Sequence, residues 1–393
     1  MSTKKTNKDP KNPQNKAQDV ATLVDNLLAE AMNAGASDIH FEPTENEMVI
    51  KYRLDGVLKT VEKVPKLLSE NIIARLKVLG NLLTYRTDIP QEGRIETAGH
   101  NNQGVLDERL AVFPTIHGQR AVVRIFYQRK NLTELEQLGF SESIYKTLKS
   151  IAFKNQGLLL LTGPAGSGKS TTLAAILRNI LKNFPGKSIV TLEDPVEIRI
   201  EGVTQVQITP FGEMTFPTAL RSLLRQDPQV LMIGEIRDAQ TAKIAVEAAL
   251  TGHFLMSTMH SGTPAAGFLR LLEMGIEPYQ VTSSVAAILN QRLVRKLCDK
   301  CRKQNEKTGF FEAVGCSNCL DTGYKGRALI AEIVELDGEL RKAIAQKTDL
   351  EELQALLKRT GHTNMLTDGK RLVSQGIATV DELNKVCGIL DSE

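Results

Sequence analysis

Residues 157 to 172, GLLLLTGPAGSGKSTT, allow little choice of local topology: an apolar run stops at a glycine-rich loop, and a helix-like run follows. Gly163, Gly168, Lys169 and Ser170 satisfy the pattern G-x-x-x-x-G-K-[ST], with a strand-like Leu158 to Thr162 before it and a helix-like Thr171 to Leu181 after it. A strand, loop and helix in that order place the sheet's C-terminal edge against a helix N-terminus. Gly163, Gly166 and Gly168 let backbone N–H groups turn inward, and the helix adds its partial positive charge at the same point. The segment therefore predicts a phosphate cradle that also takes in Pro164, Ala165, Ser167 and Thr171. Lys169 is expected to reach the β- and γ-phosphates of a nucleotide and Ser170 to ligate Mg²⁺. The competing reading, an accidental glycine loop, leaves the strand and helix flanks unexplained.

Length sets the domain count. At 393 residues the chain exceeds one ordinary core, and two or three domains are expected. The formal net charge of +3 offers no global field for nucleic acid or an acidic membrane. No apolar stretch approaches a membrane span and the N-terminus lacks a signal-peptide core, so a cytoplasmic location is expected. Residues 1–17, rich in Lys, Asn, Pro and Gln, read as a disordered tail, with a basic arm touching membrane or nucleic acid as the alternative.

Residues 18–127 read as a smaller N-terminal α+β domain. Val20, Leu23, Val24, Leu27, Leu28 and Ala31 recur at helical spacing, and Gly35 ends that helix. Residues 49 to 61 alternate around Asp55-Gly56 as a hairpin; a helix over 67–83 and strands over 108–114 and 119–127 follow. His40, His100 and His117 are read as solvated or structural. Residues 128–140 look like a charged linker, and 141–393 form the domain that holds the phosphate loop.

Two later segments share one design. An apolar strand over 189–192 delivers Glu193 and Asp194, with Glu197 slightly beyond, and a strand over 230–233 delivers Glu235. In a parallel α/β sheet that edge is where a ligand sits. Acids there can hold Mg²⁺ through water or orient the water that attacks a phosphate, unless they merely cap turns. A third strand, 254–257, is bracketed by His253 and His260; taken alone, such a histidine is more often structural.

Cys298, Cys301, Cys316 and Cys319 form two C-x-x-C knuckles at the spacing of a four-thiolate zinc site. Four ligands close the tetrahedron, so the metal is expected to be structural; disulfide exchange is the alternative. Cys387 reads as an ordinary small buried residue. From Ala328 onward the pattern reads as helical.

Taken in order, these motifs resemble the ATPase family that drives type II secretion and type IV pilus assembly, the general secretory pathway E proteins. The resemblance runs through ASDIHFEP (36–43), YRLDG (52–56), IPQEGRI (89–95), FPTIHGQRAVVR (113–124) and the phosphate loop. It continues through LEDPVE (192–197), RQDPQVLMIGEIRD (225–238), TGHFLMSTMHSGT (251–263), QRLVRKLC (291–298) and the four cysteines. It implies a RecA-like P-loop domain, a PAS-like N-terminal domain, a zinc module over 295–325 and C-terminal helices. It further implies ATP as ligand, Glu235 as catalytic glutamate, Glu193 handling Mg²⁺ or water, and His260 in a histidine box. A ring of six is implied, with Arg94 and Arg109 of the N-terminal domain approaching the phosphates, as would Arg221 or Arg225. The implied partner is an inner-membrane platform protein, reached from the inner face of the membrane, with no direct nucleic acid. Many secretion members carry a larger docking domain where this chain has only the stretch ahead of Gln18. Retraction-type members typically lack the four cysteines, which turns the reading toward secretion, pilus extension or a pseudopilus for DNA uptake. The alternatives are a nucleic-acid-dependent RecA-like motor, a retraction-type pilus ATPase and a scaffold that does not hydrolyse.

Overall fold

The structure, a computed structural model, describes residues 13–95, 105–127, 132–208 and 214–388. The chain folds as two compact units, Met1–Arg129 and Lys130–Glu393.

In the first unit α1 (Pro13–Asn33) begins inside the stretch expected to be a tail; residues 1–12, like His100, lie outside the described residues. Then come β1 (Asp38–Pro43), β2 (Glu47–Leu54), β3 (Val57–Pro65), α2 (Ser69–Leu79), β4 (Gln91–Arg94), β5 (Val105–Thr115) and β6 (Gly118–Tyr127). The strands form one antiparallel sheet, ordered β3-β2-β1-β6-β5-β4. Alternation along β1 assigns its two faces. Ile39 and Phe41 join Val24, Leu28, Ile72 and Leu76 in the core under α1 and α2. Asp38, His40 and Glu42 point the other way, where Arg124, Arg120 and Lys51 bind them. Burial, with Arg53 and Arg120 alongside, holds the His40 imidazole below its ordinary pKa, which fits its structural reading. Asp55 and Gly56 both have positive φ, 49° and 93°, so the expected hairpin turn is present.

The second unit opens with α3 (Glu142–Ala152), β7 (Gly157–Thr162), α4 (Lys169–Asn183), β8 (Ile189–Glu193), β9 (Thr204–Gln207) and α5 (Phe216–Leu223). It continues with β10 (Val230–Ile233), α6 (Ala239–Leu250), β11 (Phe254–Met259), α7 (Pro264–Glu273), α8 (Pro278–Ser284) and β12 (Val285–Leu297). Two short strands, β13 (Lys303–Gln304) and β14 (Phe311–Glu312), precede β15 (Tyr324–Glu335). Four helices follow: α9 (Gly338–Ala345), α10 (Leu350–Arg359), α11 (Met365–Ser374) and α12 (Val380–Cys387). The main sheet runs β15-β12-β7-β11-β10-β8-β9 and is parallel except for the β12–β15 pair.

β7 lies inside this sheet with both faces covered, which explains its four successive leucines. Leu158 and Leu160 enter the core shared with α6 and α7, and Leu159 and Leu161 the core shared with α3 and α4. Leu135, in the span expected to be a linker, is 1% exposed and joins that second core.

The sequence reading fails at Ala328, where a helical pattern was expected. Residues 324–335 are β15, paired antiparallel with β12 across Ala287↔Glu335 to Leu297↔Tyr324. A mostly apolar run buried on both faces has no diagnostic period, so pairing with β12 decides its form. Helices begin only at α9.

One ion pair fastens the last helix to β12. Arg295 Nη2 donates to Glu382 Oε2 at 2.5 Å, and the Arg295 N–H donates to Glu382 Oε1 at 3.1 Å. Burial pushes the Glu382 carboxyl up, but the bonds from Arg295 outweigh it and hold the group below its ordinary pKa. A depressed folded pKa stabilises above the unfolded value, about 4.3, and that contribution disappears as pH falls through the folded value. Glu382→Gln is expected to cost about 2 kcal/mol by replacing charge-assisted bonds to the half-buried Arg295 with neutral ones, and to flatten the acid limb of stability. Urea midpoints at pH 7 and pH 4 measure both; equal midpoints for the two proteins at pH 7 would refute it.

Candidate active site and candidate metal centre

The cradle lies where β7 becomes α4. Gly163, Gly166 and Gly168 have φ of 134°, 75° and 92°, which L side chains rarely adopt. At Gly163 space is also closed: a Cβ there would stand 2.3 Å from the Gln291 carbonyl oxygen. α4 starts with no side-chain cap and no acid in its first turn. Its neighbours α5, α6 and α7 are capped by Thr215, Asp238 and Thr263. The first N–H groups of α4 therefore have no capping side chain, as an anion site requires. Ser170 sits exposed in that first turn, and Ser167 Oγ is buried without a hydrogen-bond partner among the described residues. Lys169 Nζ donates to the carbonyls of Gly163 and Pro164 at 2.8 and 3.0 Å.

Parallel pairing brings the acids to the same edge. Leu192 pairs with Ile233, and a Cβ on Gly234 would approach the Glu193 Cα to 3.4 Å, so β8 and β10 end side by side. The turn carrying Glu235 is pinned by β11: Thr258 Oγ1 donates to the Gly234 carbonyl at 2.8 Å, and the Ile236 N–H to the Thr258 carbonyl at 2.9 Å. Glu235 then accepts from Arg237 Nε at 2.6 Å and lies 3.0 Å from His260 Nε2. Burial lowers the Lys169 pKa, and the charges of Glu235 and Glu197 work against that shift. Lys169, Glu235 and His260 thus share one electrostatic neighbourhood.

Glu193 is held differently. It is buried, and its Oε1 accepts from Thr191 Oγ1 at 2.7 Å and Gln205 Nε2 at 3.0 Å. The acid that feels Lys169 on this side is Glu197, in the same LEDPVE segment. Sequence reading noted Glu197 without giving it a role, and it overlooked Arg237.

The arginines fall in two places. In the first unit Arg94 and Arg109 are cross-strand partners that both pair with Asp107, at 2.5 and 3.2 Å, and Arg109 stacks over Phe126. Arg221 and Arg225 line a cavity of about 360 Å³ with Glu247 and His253. His253 precedes β11, so that cavity opens at the sheet edge opposite the phosphate loop. The expected approach of Arg221 and Arg225 to the phosphates is not made within this unit, and of the two histidines only His260 is at the acidic edge.

Between β12 and β15 the four expected cysteines converge. Their sulfurs all lie within 4.8 Å of one another, with Cys298–Cys316 at 3.9 Å and Cys301–Cys319 and Cys316–Cys319 at 3.8 Å. A tetrahedron with Zn–S bonds of about 2.3 Å has edges of about 3.8 Å, so the thiols fit one such ion. Burial pushes the Cys319 thiol up, yet the N–H groups of Cys316 and Gly323, each 3.3 Å away, bring it down to about 6. Such N–H···S bonds favour thiolate ligands.

From residue 13 to residue 385 the sequence matches the family model described as type II/IV secretion system protein. The chain belongs to that family. This type II/IV secretion system protein is 39% identical over 369 residues to the type II secretion system protein HxcR of Pseudomonas aeruginosa, covering 93% of this chain and 77% of HxcR. It is 38% identical over 380 residues to the type IV pilus assembly ATPase PilB of Thermus thermophilus, covering 92% of this chain and 42% of PilB. It therefore spans less than half of that relative. The Legionella pneumophila ATPase DotB has the same α/β fold: TM-score 0.68 at 21% identity, covering 94% of this chain and 96% of DotB. The motif resemblance and the ATPase family it named are thereby established. No helix among the described residues of this type II/IV secretion system protein is long and apolar enough to cross a membrane.

Proposed function

We propose that the chain binds ATP with Mg²⁺ at the phosphate loop and hydrolyses it to ADP and phosphate. The observation that carries this reading is the meeting of Lys169, Glu235 and His260 at one sheet edge, beside a helix N-terminus with no capping side chain. The backbone N–H groups of residues 165–171, beyond Pro164, bind the phosphates together with that of Gly163, Lys169 neutralises them, and Ser170 is a Mg²⁺ ligand. Mg²⁺ supplies charge neutralisation and ordering of the phosphate oxygens. Glu235 orients water, held in its rotamer by Arg237 and His260, while Glu193, fixed by Thr191 and Gln205, orders the water network. Catalysis on this reading is positioning and charge stabilisation.

The cycle powers type II secretion or the assembly of a type IV pilus or pseudopilus. The chain works as a homo-hexamer at the inner face of the cytoplasmic membrane, against an inner-membrane platform protein. The cysteines hold one structural Zn²⁺, closed to water by four thiolates. The smaller domain proposed comprises residues 18–127, and the larger one residues 141–393 together with Leu135 of the expected linker, which packs in its core. Phosphate release from ATP, required to depend on Mg²⁺, tests the hydrolysis; no release from the assembled protein overturns it. Arg94 and Arg109 serve in the hexamer as charges for the transferred phosphoryl group. Arg109→Ala is expected to lower kcat roughly a hundredfold, the scale of one lost charge donor, with the melting midpoint unchanged. An unchanged kcat removes Arg109 from the mechanism.

A further inference from the structure

The motif QRLVRKLC has so far supplied only cysteine-module landmarks, yet its first residue lies directly behind the phosphate loop. Gln291 is on β12, the strand beside β7, and its side chain is fully buried. Its Nε2 donates to the Ser167 carbonyl at 2.8 Å. Its own carbonyl oxygen occupies the space a Cβ at Gly163 would need, and its Nε2 lies 3.3 Å from where a Gly168 Cβ would stand. Two of the loop's glycines are therefore backed by this one residue. Register supports the contact: Asn290 pairs with Thr162, the last residue of β7, and accepts from Thr162 Oγ1 at 3.3 Å.

We infer that Gln291 is a positioning residue of the phosphate loop, the donor that orients the Ser167–Gly168 peptide so that the following N–H groups face the ligand. A peptide is planar: fixing its carbonyl on one side fixes its N–H on the other. Gln291 Oε1 and Ser167 Oγ are both buried without a partner among the described residues. Two buried polar atoms left unsatisfied around one good bond call for an explanation, and orientation of the loop by that bond supplies it. Hydrophobic replacement keeps the shape and removes the donor. This rests on the reading that the loop binds nucleotide phosphates.

The test is titration with a fluorescent ADP analogue and Mg²⁺, alongside the melting midpoint without nucleotide. Wild-type protein that fails to bind ADP removes the underlying reading, whatever the variants do. With wild-type binding in place, Gln291→Met is expected to weaken ADP about tenfold. Leu289→Ala, on the same strand and equally buried, is expected to lower the midpoint further while leaving affinity within about twofold. Gln291→Glu gives a second readout that does not need the Met variant to fold. Its ionised carboxylate cannot donate to the Ser167 carbonyl, but the protonated acid can, and burial raises its pKa. Its deficit relative to wild type is expected to narrow from pH 8 to pH 6. Wild-type affinity in folded Gln291→Met, equal losses in Gln291→Met and Leu289→Ala, or a pH-independent deficit in Gln291→Glu each overturn the assignment.

Discussion

Lys169→Ala is expected to abolish ATP turnover, lowering phosphate release roughly a thousandfold or more, while the unfolding midpoint barely moves. The first half follows from where the ammonium stands. It is aimed into the loop by two carbonyls, it shares its neighbourhood with Glu235, and it is shielded enough for burial to lower its pKa. A preorganised charge in such a place is worth several kcal/mol to a reaction that moves charge onto phosphate oxygens. The second half follows from what the side chain does not touch: its bonds go only to the loop, so its removal opens no cavity in the core. Glu235→Gln is the complementary variant. It keeps the shape and the contacts with Arg237 and His260 but cannot accept a proton, so it is expected to bind nucleotide and not turn it over. Initial rates of phosphate release, with ADP affinity measured on the same preparations, decide both. A purified, folded variant of either kind that retains the wild-type rate removes the catalytic assignment.

The second large effect concerns the thiolate cluster. Metal analysis of protein purified without chelator is expected to return about one zinc per chain, falling to near zero in Cys319→Ser. The loss of stability is expected to be at least about 4 kcal/mol, the linkage contribution of a ligand present at a thousand times its Kd. Cys319 is the residue to change, because it is buried and its sulfur accepts N–H bonds from Cys316 and Gly323. The damage should stay near β12 and β15, the strands that lead into and out of the module. Hydrogen exchange resolves that: faster exchange in 285–297 and 324–335 with the first unit unaffected. Substoichiometric zinc in the wild-type protein, or a variant of unchanged stability, rules out a closed structural site.

What could be read from the sequence was what neighbouring residues determine together. The phosphate loop declared itself because its glycines, lysine and serine are contiguous and flanked by an apolar run and an amphipathic one. The cysteines did so because knuckle spacing is a local property. Strand ends at Glu193 and Glu235 followed from short apolar runs that stop abruptly. What could not be read depends on partners distant in the chain. β15 resembled a helix because both its faces are buried by segments invisible from its own pattern. Gln291 looked like part of a motif with no task, since nothing local says that its amide ends against Ser167, more than a hundred residues earlier. Glu197 and Glu193 are nearly adjacent, and only the fold shows that Glu193 turns to Gln205 while Glu197 feels Lys169. Arg221, Arg225 and His253 belong to segments whose other ends reach the acidic edge, and strand direction carries them to the far side.

The separation of β7 from β12 bears on how the protein is made. Thr162 and Asn290 meet across 128 positions of sequence, so the leucine-rich strand carrying the phosphate loop leaves the ribosome long before the strand that completes its flank. At about 5–20 residues per second that interval is roughly 6 to 26 seconds, during which four consecutive leucines lack at least one of the two strands, β11 and β12, that flank them. The nascent chain over this window offers an adhesive, unpaired strand border, and its safe passage depends on whatever shelters it until β12 arrives.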